Sequence, residues 1–122
     1  MAKVLFIDDR LDEVLRQWKL SGCESDHELL RLEPFVSIER ALGLVRTLTP
    51  DVVLVGYGLG KPGVTGADVV RSIRQDGYSG YVVANTGGDV GQFSRAGVEV
   101  DETANRNPHD LKQIVDNLTA RG

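Results

Sequence analysis

Two adjacent carboxylates, Asp8 and Asp9, follow directly on an apolar run over residues 4–7. Neighbouring like charges repel each other, so such a pair is costly unless a cation or a cationic side chain neutralises it. Carboxylate oxygens are also the hard ligands that Mg²⁺ prefers. One acid, Asp9 for example, could instead cap the following helix, but two acids are more than a cap needs. We therefore interpret Asp8 and Asp9 as an acidic pocket and as candidate metal ligands.

Three further positions follow later apolar runs and join the same candidate site. Gly56 ends the run over residues 52–55, Thr86 follows the run over 81–84, and Arg106 lies beyond a weaker run over 98–101. Glycine supplies no nucleophile, and no Ser-His-Asp or Cys-His set is predicted to meet at these positions. The sequence therefore does not predict an enzyme.

Composition and charge narrow the remaining classes of function. The chain has 122 residues, 41% hydrophobic and 26% charged, with a net charge of −4. That charge argues against nucleic-acid binding, which needs a basic face. The N-terminal apolar run is too short for a signal peptide or a membrane span, so we expect a cytoplasmic protein without membrane contact. The length fits one domain over residues 1–122.

The cysteine and the histidines do not indicate a metal centre. Cys23 is the only cysteine, which excludes an internal disulfide and a cysteine-based zinc site. His27 and His109 are far apart, and neither has a second ligand at metal spacing. We expect both histidines to be surface or hydrogen-bonded residues.

The apolar pattern predicts five strands that alternate with helices. The runs over 4–7, 52–55 and 81–84 are nearly continuous, as in strands buried on both faces, whereas those over 27–32 and 98–101 mix apolar with charged residues, as in edge strands. Alternation of this kind favours a doubly wound parallel sheet in the flavodoxin-like order 2-1-3-4-5, with helices on both faces. That order places the two mixed strands at the edges.

Helical spacing and capping residues fill the segments between the strands. Apolar stripes at i, i+3 and i+4 predict helices near 11–18, 38–45, 66–73 and 108–118, and a weak helix near 89–96 that rests on Val90 and Phe93. Ser37 and Asn107 are predicted N-caps, and Thr65 with the acid three residues later resembles a capping box.

The glycine-rich segment 58–63 offers a different function. Gly58, Gly60 and Gly63 fit the spacing of a dinucleotide-binding fingerprint between a strand and a helix. The fingerprint belongs after the first strand, however, and here it follows the third. Pro62 also removes one of the amides that would hold phosphate. We favour an ordinary flexible loop, and a nucleotide-binding module remains the less favoured alternative.

The motifs in these runs resemble the receiver domains of two-component response regulators over nearly the whole chain. "KVLFIDD" is similar to the family's first strand with its acidic pair, and "PDVVLV" with "GADVVRSIR" to its third strand and helix. "YVVANTGG" is similar to the fourth strand, and "AGVEVDETANRNP" to the fifth strand and its Lys-Pro loop. The resemblance implies a CheY-like fold.

The resemblance also implies roles for the candidate residues. In such domains an aspartate after the third strand accepts a phosphoryl group from a histidine kinase, with Mg²⁺ held by the acidic pair. By this resemblance Thr86 and Arg106 occupy the phosphoryl-contact positions, and the backbone carbonyl of Gly58 is a third metal ligand. Gly56 stands at the phosphoacceptor position, so the acceptor is missing. The aromatic switch position of the family's fifth strand would align with Asp101.

We therefore predict a receiver-like domain that signals by protein contact without aspartyl phosphorylation. The partner would be a histidine kinase or an output protein, bound through the face formed by helix 4, strand 5 and helix 5. No cofactor is required, and Mg²⁺ is expected to bind weakly or not at all because one carboxylate is missing. The alternative is a phosphorylatable receiver seen as an aspartate-to-glycine variant. The face formed by helix 4, strand 5 and helix 5 would include Gln92, Arg95, Glu99, Asp101 and the helix from His109.

Overall fold

Strands and helices alternate along the chain as the sequence predicts. A computed structural model describes residues 1–89 and 91–120. In chain order, the elements are β1 (Lys3–Ile7), α1 (Leu11–Ser21), β2 (Glu28–Leu29), α2 (Ile38–Leu48), β3 (Val52–Val55), α3 (Gly66–Gln75), β4 (Tyr81–Asn85), α4 (Gln92–Arg95), β5 (Glu102–Ala104) and α5 (Pro108–Ala120).

All strand pairs are parallel, and the sheet order is β2-β1-β3-β4-β5. The flavodoxin-like order predicted from the sequence is therefore confirmed, with β2 and β5 at the edges. In register, Ile7 pairs with Val55, and Val55 pairs with Ala84. The carboxyl ends of the three central strands consequently lie side by side, which brings the residues that follow them to one edge of the sheet.

The strands of the sheet are covered on both faces, because successive side chains point to opposite sides. Val4 and Phe6 pack with α1 and α5, where the ring of Trp18 meets Phe6 edge-on with centroids 6.2 Å apart. Leu5 and Ile7 pack on the other face with residues of α2, α3 and α4. This double burial is the reason the central strands are continuously apolar.

The predicted helix starts are confirmed by their caps. The Ser37 hydroxyl accepts the Arg40 N–H at 3.1 Å, and the Asn107 side chain accepts the His109 N–H at 3.0 Å. Thr65 forms a capping box in which the carboxylate of the residue three positions later accepts the Thr65 N–H at 2.9 Å. These local contacts satisfy amides that an isolated helix end leaves unpaired.

The two edge strands differ from their predicted bounds. β2 pairs over only two residues, and the Phe35 N–H then donates to the Asp8 carbonyl at 3.0 Å after the chain has bulged away from the sheet. The prediction of a strand over 98–101 is wrong. The Asp101 carboxylate accepts the Val82 N–H at 2.8 Å, so regular pairing starts only at Glu102. Val98 is buried, but in the loop before the strand.

The fourth helix is short. It spans Gln92–Arg95, within the predicted region, while Val90 lies outside the described residues. Across the described ranges, the helices are neither long enough nor apolar enough to cross a membrane.

Candidate functional site at the carboxyl edge of the sheet

Four of the sequence-predicted site residues meet at the carboxyl edge of the sheet. The Gly56 N–H donates to the carbonyl of Ile7 at 3.0 Å, so Gly56 lies directly beside Asp8 at the switch point between β1 and β3. Thr86 follows β4, where its N–H donates to the Ala104 carbonyl at 3.1 Å. Arg106 reaches the same edge from the loop between β5 and α5.

Asp8 is the buried centre of this edge. Its side chain is 1% exposed. One carboxylate oxygen, Oδ1, accepts the N–H groups of Asp9 at 2.8 Å and Arg10 at 3.1 Å, and Oδ2 accepts from Arg106 Nη2 at 3.0 Å. Burial raises the pKa of the Asp8 carboxyl, and the Arg10 amide and the Arg106 guanidinium act in the opposite direction. The bonds to Asp8 are therefore those that a buried carboxylate requires.

Asp9 lies at the surface beside Asp8, and the contact between the two carboxyl groups also raises the pKa of Asp8. It is exposed, and its side chain lies over Gly60, where a β-carbon would approach Asp9 Oδ2 to 2.9 Å. Helix α1 has Arg10 as its N-cap residue and has no side-chain cap. The amide of Arg10 is satisfied by Asp8, so the interpretation of Asp9 as a cap is wrong. The two acids lie in different environments, one buried and ion-paired and the other at the surface.

Gly56 leaves room that the Asp8 carboxylate fills. A β-carbon at position 56 would lie 2.6 Å from Asp8 Oδ2 and 2.9 Å from Asp8 Cγ. Gly56 is buried and does not have a positive φ angle. The backbone itself therefore accepts any residue, and the restriction comes from the neighbouring side chain.

Replacing Gly56 with alanine should consequently lower the free energy of unfolding by about 1 kcal/mol, because Asp8 must turn away and lose its bond to Arg106. Urea unfolding followed by circular dichroism measures the change. Gly58→Ala is the matched control, because no atom lies within 4 Å of the position that a β-carbon would take there. An equal loss in both variants would contradict the packing argument.

Arg106 joins three elements at this edge. Its guanidinium donates to Asp8 on β1's carboxyl end and, from Nη1, to Glu13 Oε2 on α1 at 2.9 Å. The backbone of Arg106 has a φ of 57°, a positive value that is uncommon for residues other than glycine. A β-carbon on Gly87 would lie 3.4 Å from Arg106 Cδ, so the side chain passes over the loop after β4. Sequence reasoning identified Arg106 but not its second acid, Glu13.

Thr86 and the loop after it complete the edge. The Thr86 side chain accepts the Gly88 N–H at 3.2 Å, and the residue is 7% exposed. Asp89 accepts the Gly91 N–H at 2.8 Å and pairs with Arg95. It does not enter the pocket of Asp8.

The residues present do not fit a Mg²⁺ site. The Asp8 carboxylate is occupied by two amides and a guanidinium, and the Asp9 side chain lies against Gly60. The role of the Gly58 carbonyl as a metal ligand stays a prediction. Within residues 1–89 and 91–120, no three His, Cys, Asp or Glu residues form a group that could hold a metal ion. Hard cations need several free oxygens that converge, and with Arg106 bound to Asp8 this edge leaves too few of them.

The glycine-rich loop after β3 is largely exposed and is anchored by one buried side chain. Leu59 is 1% exposed, the loop is closed by the bridge between Gly58 and Thr65, and Gly60 and Gly63 have positive φ angles. The capping box at Thr65 already provides hydrogen-bond partners for backbone N–H groups at the start of α3, where a phosphate would have to bind. The loop therefore lacks the free helix terminus that a dinucleotide fingerprint supplies.

A buried amide pair beside the site was missed by sequence reasoning. Gln17 of α1 and Asn85 of β4 exchange two hydrogen bonds of 3.0 Å, and they are 3% and 0% exposed. Gln17 adjoins Trp18 within the apolar stripe of α1, and Asn85 follows an apolar run. Buried polar groups need hydrogen-bond partners, so an amide side chain at each of two positions expected to be buried is the sequence signal for such a pair.

Several other polar residues lie at the opposite edge of the sheet. Asp51 accepts the Lys3 N–H at 2.8 Å, and Asp101 pairs with Arg74 at 3.0 Å. Asp101 therefore lies before β5, so its alignment with the switch position is wrong. His27 is buried and hydrogen-bonded at both ring nitrogens, as expected for a satisfied histidine.

The sheet order and the covering helices define the CheY-like flavodoxin fold of receiver domains. The signal receiver domain of a LuxO repressor protein from Vibrio parahaemolyticus matches over 98% of this chain and 91% of its own, with 17% identity and a TM-score of 0.78. Chemotaxis protein CheY4 of Vibrio cholerae matches over 97% and 98%, with 18% identity and a TM-score of 0.74.

A third similar structure is that of a complex. The response regulator TrrA from Thermotoga maritima, in complex with Mg²⁺ and BeF, matches over 97% of this chain and 99% of its own, with 24% identity and a TM-score of 0.71. No family model and no curated protein matches the sequence. At these identities the similarity establishes the fold.

Proposed function

We propose that this protein is a receiver-like signalling domain of the two-component type that acts by protein contact without aspartyl phosphorylation. The observation that carries the proposal is Gly56. It lies at the carboxyl end of β3 beside Asp8, where the resemblance puts the phosphoacceptor, and the space beside its backbone is filled by the Asp8 carboxylate. No other carboxylate reaches this position in the described part of the chain, since Asp51 is at the far edge and Asp89 pairs with Arg95.

The proposed partner is a histidine kinase or an output protein, and the proposed contact face is α4–β5–α5. Most of the exposed residues of α5 are polar, among them His109, Asp110 and Gln113. Phe93 of α4 is buried and packs edge-on against Tyr57, with ring centroids 5.3 Å apart. The face therefore offers hydrogen-bonding and charged groups to a partner, whereas the side chain of Phe93 is part of the hydrophobic core.

Two of the residues expected on this face are engaged within the chain. Arg95 pairs with Asp89, and Asp101 holds Arg74 and the Val82 amide. Gln92, Glu99 and the exposed polar residues of α5 remain for the proposed contact. The proposed face is thus narrower than the sequence indicated.

Incubation with a small-molecule phosphodonor and Mg²⁺ should leave the intact mass of the protein unchanged, because position 56 has no nucleophile. Intact-mass spectrometry measures this directly. An acid-resistant, hydroxylamine-labile adduct on the wild-type chain would overturn the proposal and favour a phosphorylatable domain with another acceptor.

The Gly56→Asp variant separates the proposal from its alternative, in which glycine replaces the aspartate of a working site. We expect this single change not to restore phosphorylation, because its side chain meets Asp8 and because Arg106 holds the cation position. Efficient phosphorylation of Gly56→Asp would favour the alternative. The variant's folded state is checked by circular dichroism.

A further inference from the structure

Asp8 needs a positive charge, and the chain supplies one from a residue 98 positions away. A carboxylate that is 1% exposed loses most of its hydration, and its neutralisation by a nearby cation offsets that cost. The Arg106 guanidinium approaches both Asp8 oxygens, at 3.0 Å and 3.4 Å, while the amides of Asp9 and Arg10 fill the remaining acceptor positions of Oδ1.

We infer that Arg106 is a resident cation that takes over the charge-neutralising role of a divalent metal at this edge of the sheet. The second acid, Glu13, receives the other arm of the guanidinium at 2.9 Å, so one side chain bridges β1, α1 and the loop before α5. This inference goes beyond the proposed function, which requires only that position 56 cannot accept a phosphoryl group.

The backbone at Arg106 supports a dedicated role. Its φ of 57° is the left-handed conformation, which costs a non-glycine residue free energy and persists where surrounding contacts fix it. The side chain is 19% exposed despite its length, since it crosses Gly87 to reach Asp8. The fixed left-handed backbone and the mostly buried side chain distinguish Arg106 from the exposed pair between Arg95 and Asp89, which shows neither feature.

The test compares thermal midpoints with Mg²⁺ and with EDTA in the wild type and in Arg106→Gln. The wild-type midpoint should change by less than about 1 °C. Arg106→Gln should melt about 5 °C lower in EDTA, and millimolar Mg²⁺ should restore about 4 °C of that loss by binding the freed carboxylate. Arg95→Gln, which opens an exposed pair, is the matched control and should show neither effect.

Two results from the thermal midpoints of the wild type and Arg106→Gln would overturn the inference. The first is wild-type protein stabilised by Mg²⁺ as strongly as Arg106→Gln. The second is an Arg106→Gln protein that loses no stability or that Mg²⁺ does not stabilise. If that variant does not fold, calorimetric titration of Mg²⁺ into the wild type decides, and tight binding there refutes the resident cation.

The Arg106→Lys variant tests the charge separately from the geometry. A lysine ammonium keeps the positive charge but loses the two-pronged guanidinium that reaches Glu13 as well as Asp8. It should melt between the wild type and Arg106→Gln and stay insensitive to Mg²⁺. A Mg²⁺ response in Arg106→Lys equal to that of Arg106→Gln would contradict the inference. Wild-type protein that binds Mg²⁺ yet gains no phosphoryl group would refute the resident cation and leave the proposed function intact.

Discussion

Replacing Gly66 with alanine is expected to destabilise the protein by about 3 kcal/mol, or to prevent folding. Gly66 begins α3, and its N–H donates to the Tyr57 carbonyl at 2.7 Å. A β-carbon here would overlap the carbonyl oxygen of Gly56, lie 2.9 Å from that carbonyl carbon and lie 3.1 Å from Phe93 Cζ. Because the first obstacle is backbone, no side-chain rotation relieves it, and α3 must move away from the end of β3.

Gly43→Ala is the matched control for this prediction. Gly43 lies within α2, and no atom is within 4 Å of its β-carbon position. Alanine should therefore raise the free energy of unfolding there, by up to about 1 kcal/mol, because it is the better helix former. Urea denaturation of both variants gives the comparison. A Gly66→Ala protein as stable as the wild type would show that α3 does not pack against Gly56 as described.

The second large effect is expected at the buried amide pair of Gln17 and Asn85. Gln17→Met or Asn85→Val alone should cost about 2–3 kcal/mol, since each leaves the partner's amide buried without its hydrogen bonds. The double variant should cost much less than the sum, because neither amide then remains. Both residues are almost fully buried, so water cannot replace the lost partner without opening the core.

A double-mutant cycle by urea denaturation measures this coupling, with an expected coupling free energy on the order of 2 kcal/mol. The exposed pair of Arg40 and Glu33, with a contact of 2.6 Å, provides the control cycle, for which about 0.5 kcal/mol is expected. Additive single effects at Gln17 and Asn85 would contradict the reciprocal bonding. Lost pairing at this position also threatens the site, because Asn85 immediately precedes Thr86.

Glycine at position 56 illustrates how far the sequence could go at the site. An apolar run ending in glycine, beside an acidic pair that ends another run, was enough to predict that both meet at one edge of a parallel sheet. It was not enough to predict that Asp8 fills the space beside Gly56. Side-chain direction after a strand depends on which donors lie within reach, and here they come from Arg10 and from Arg106.

The fifth strand shows a different limit. Alternating valine and acid over 98–101 is typical of an edge strand, yet the ladder forms over Glu102–Ala104. What places the ladder is the Asp101 carboxylate, which takes the Val82 amide and an Arg74 guanidinium contributed by α3. A side-chain carboxylate that takes a backbone amide of a neighbouring strand cannot be predicted from the periodicity of apolar residues in the sequence.

By itself, the sequence determined the sheet order, the caps of α2, α3 and α5, and the glycine that ends β3, because these depend on residue type and on local spacing. Only the tertiary structure decided that Asp8 is buried while Asp9 is exposed, that Arg106 bridges Asp8 and Glu13, and that Gln17 meets Asn85. Those outcomes depend on contacts between residues up to 98 positions apart, and their geometry is fixed by the packing of helices on the sheet.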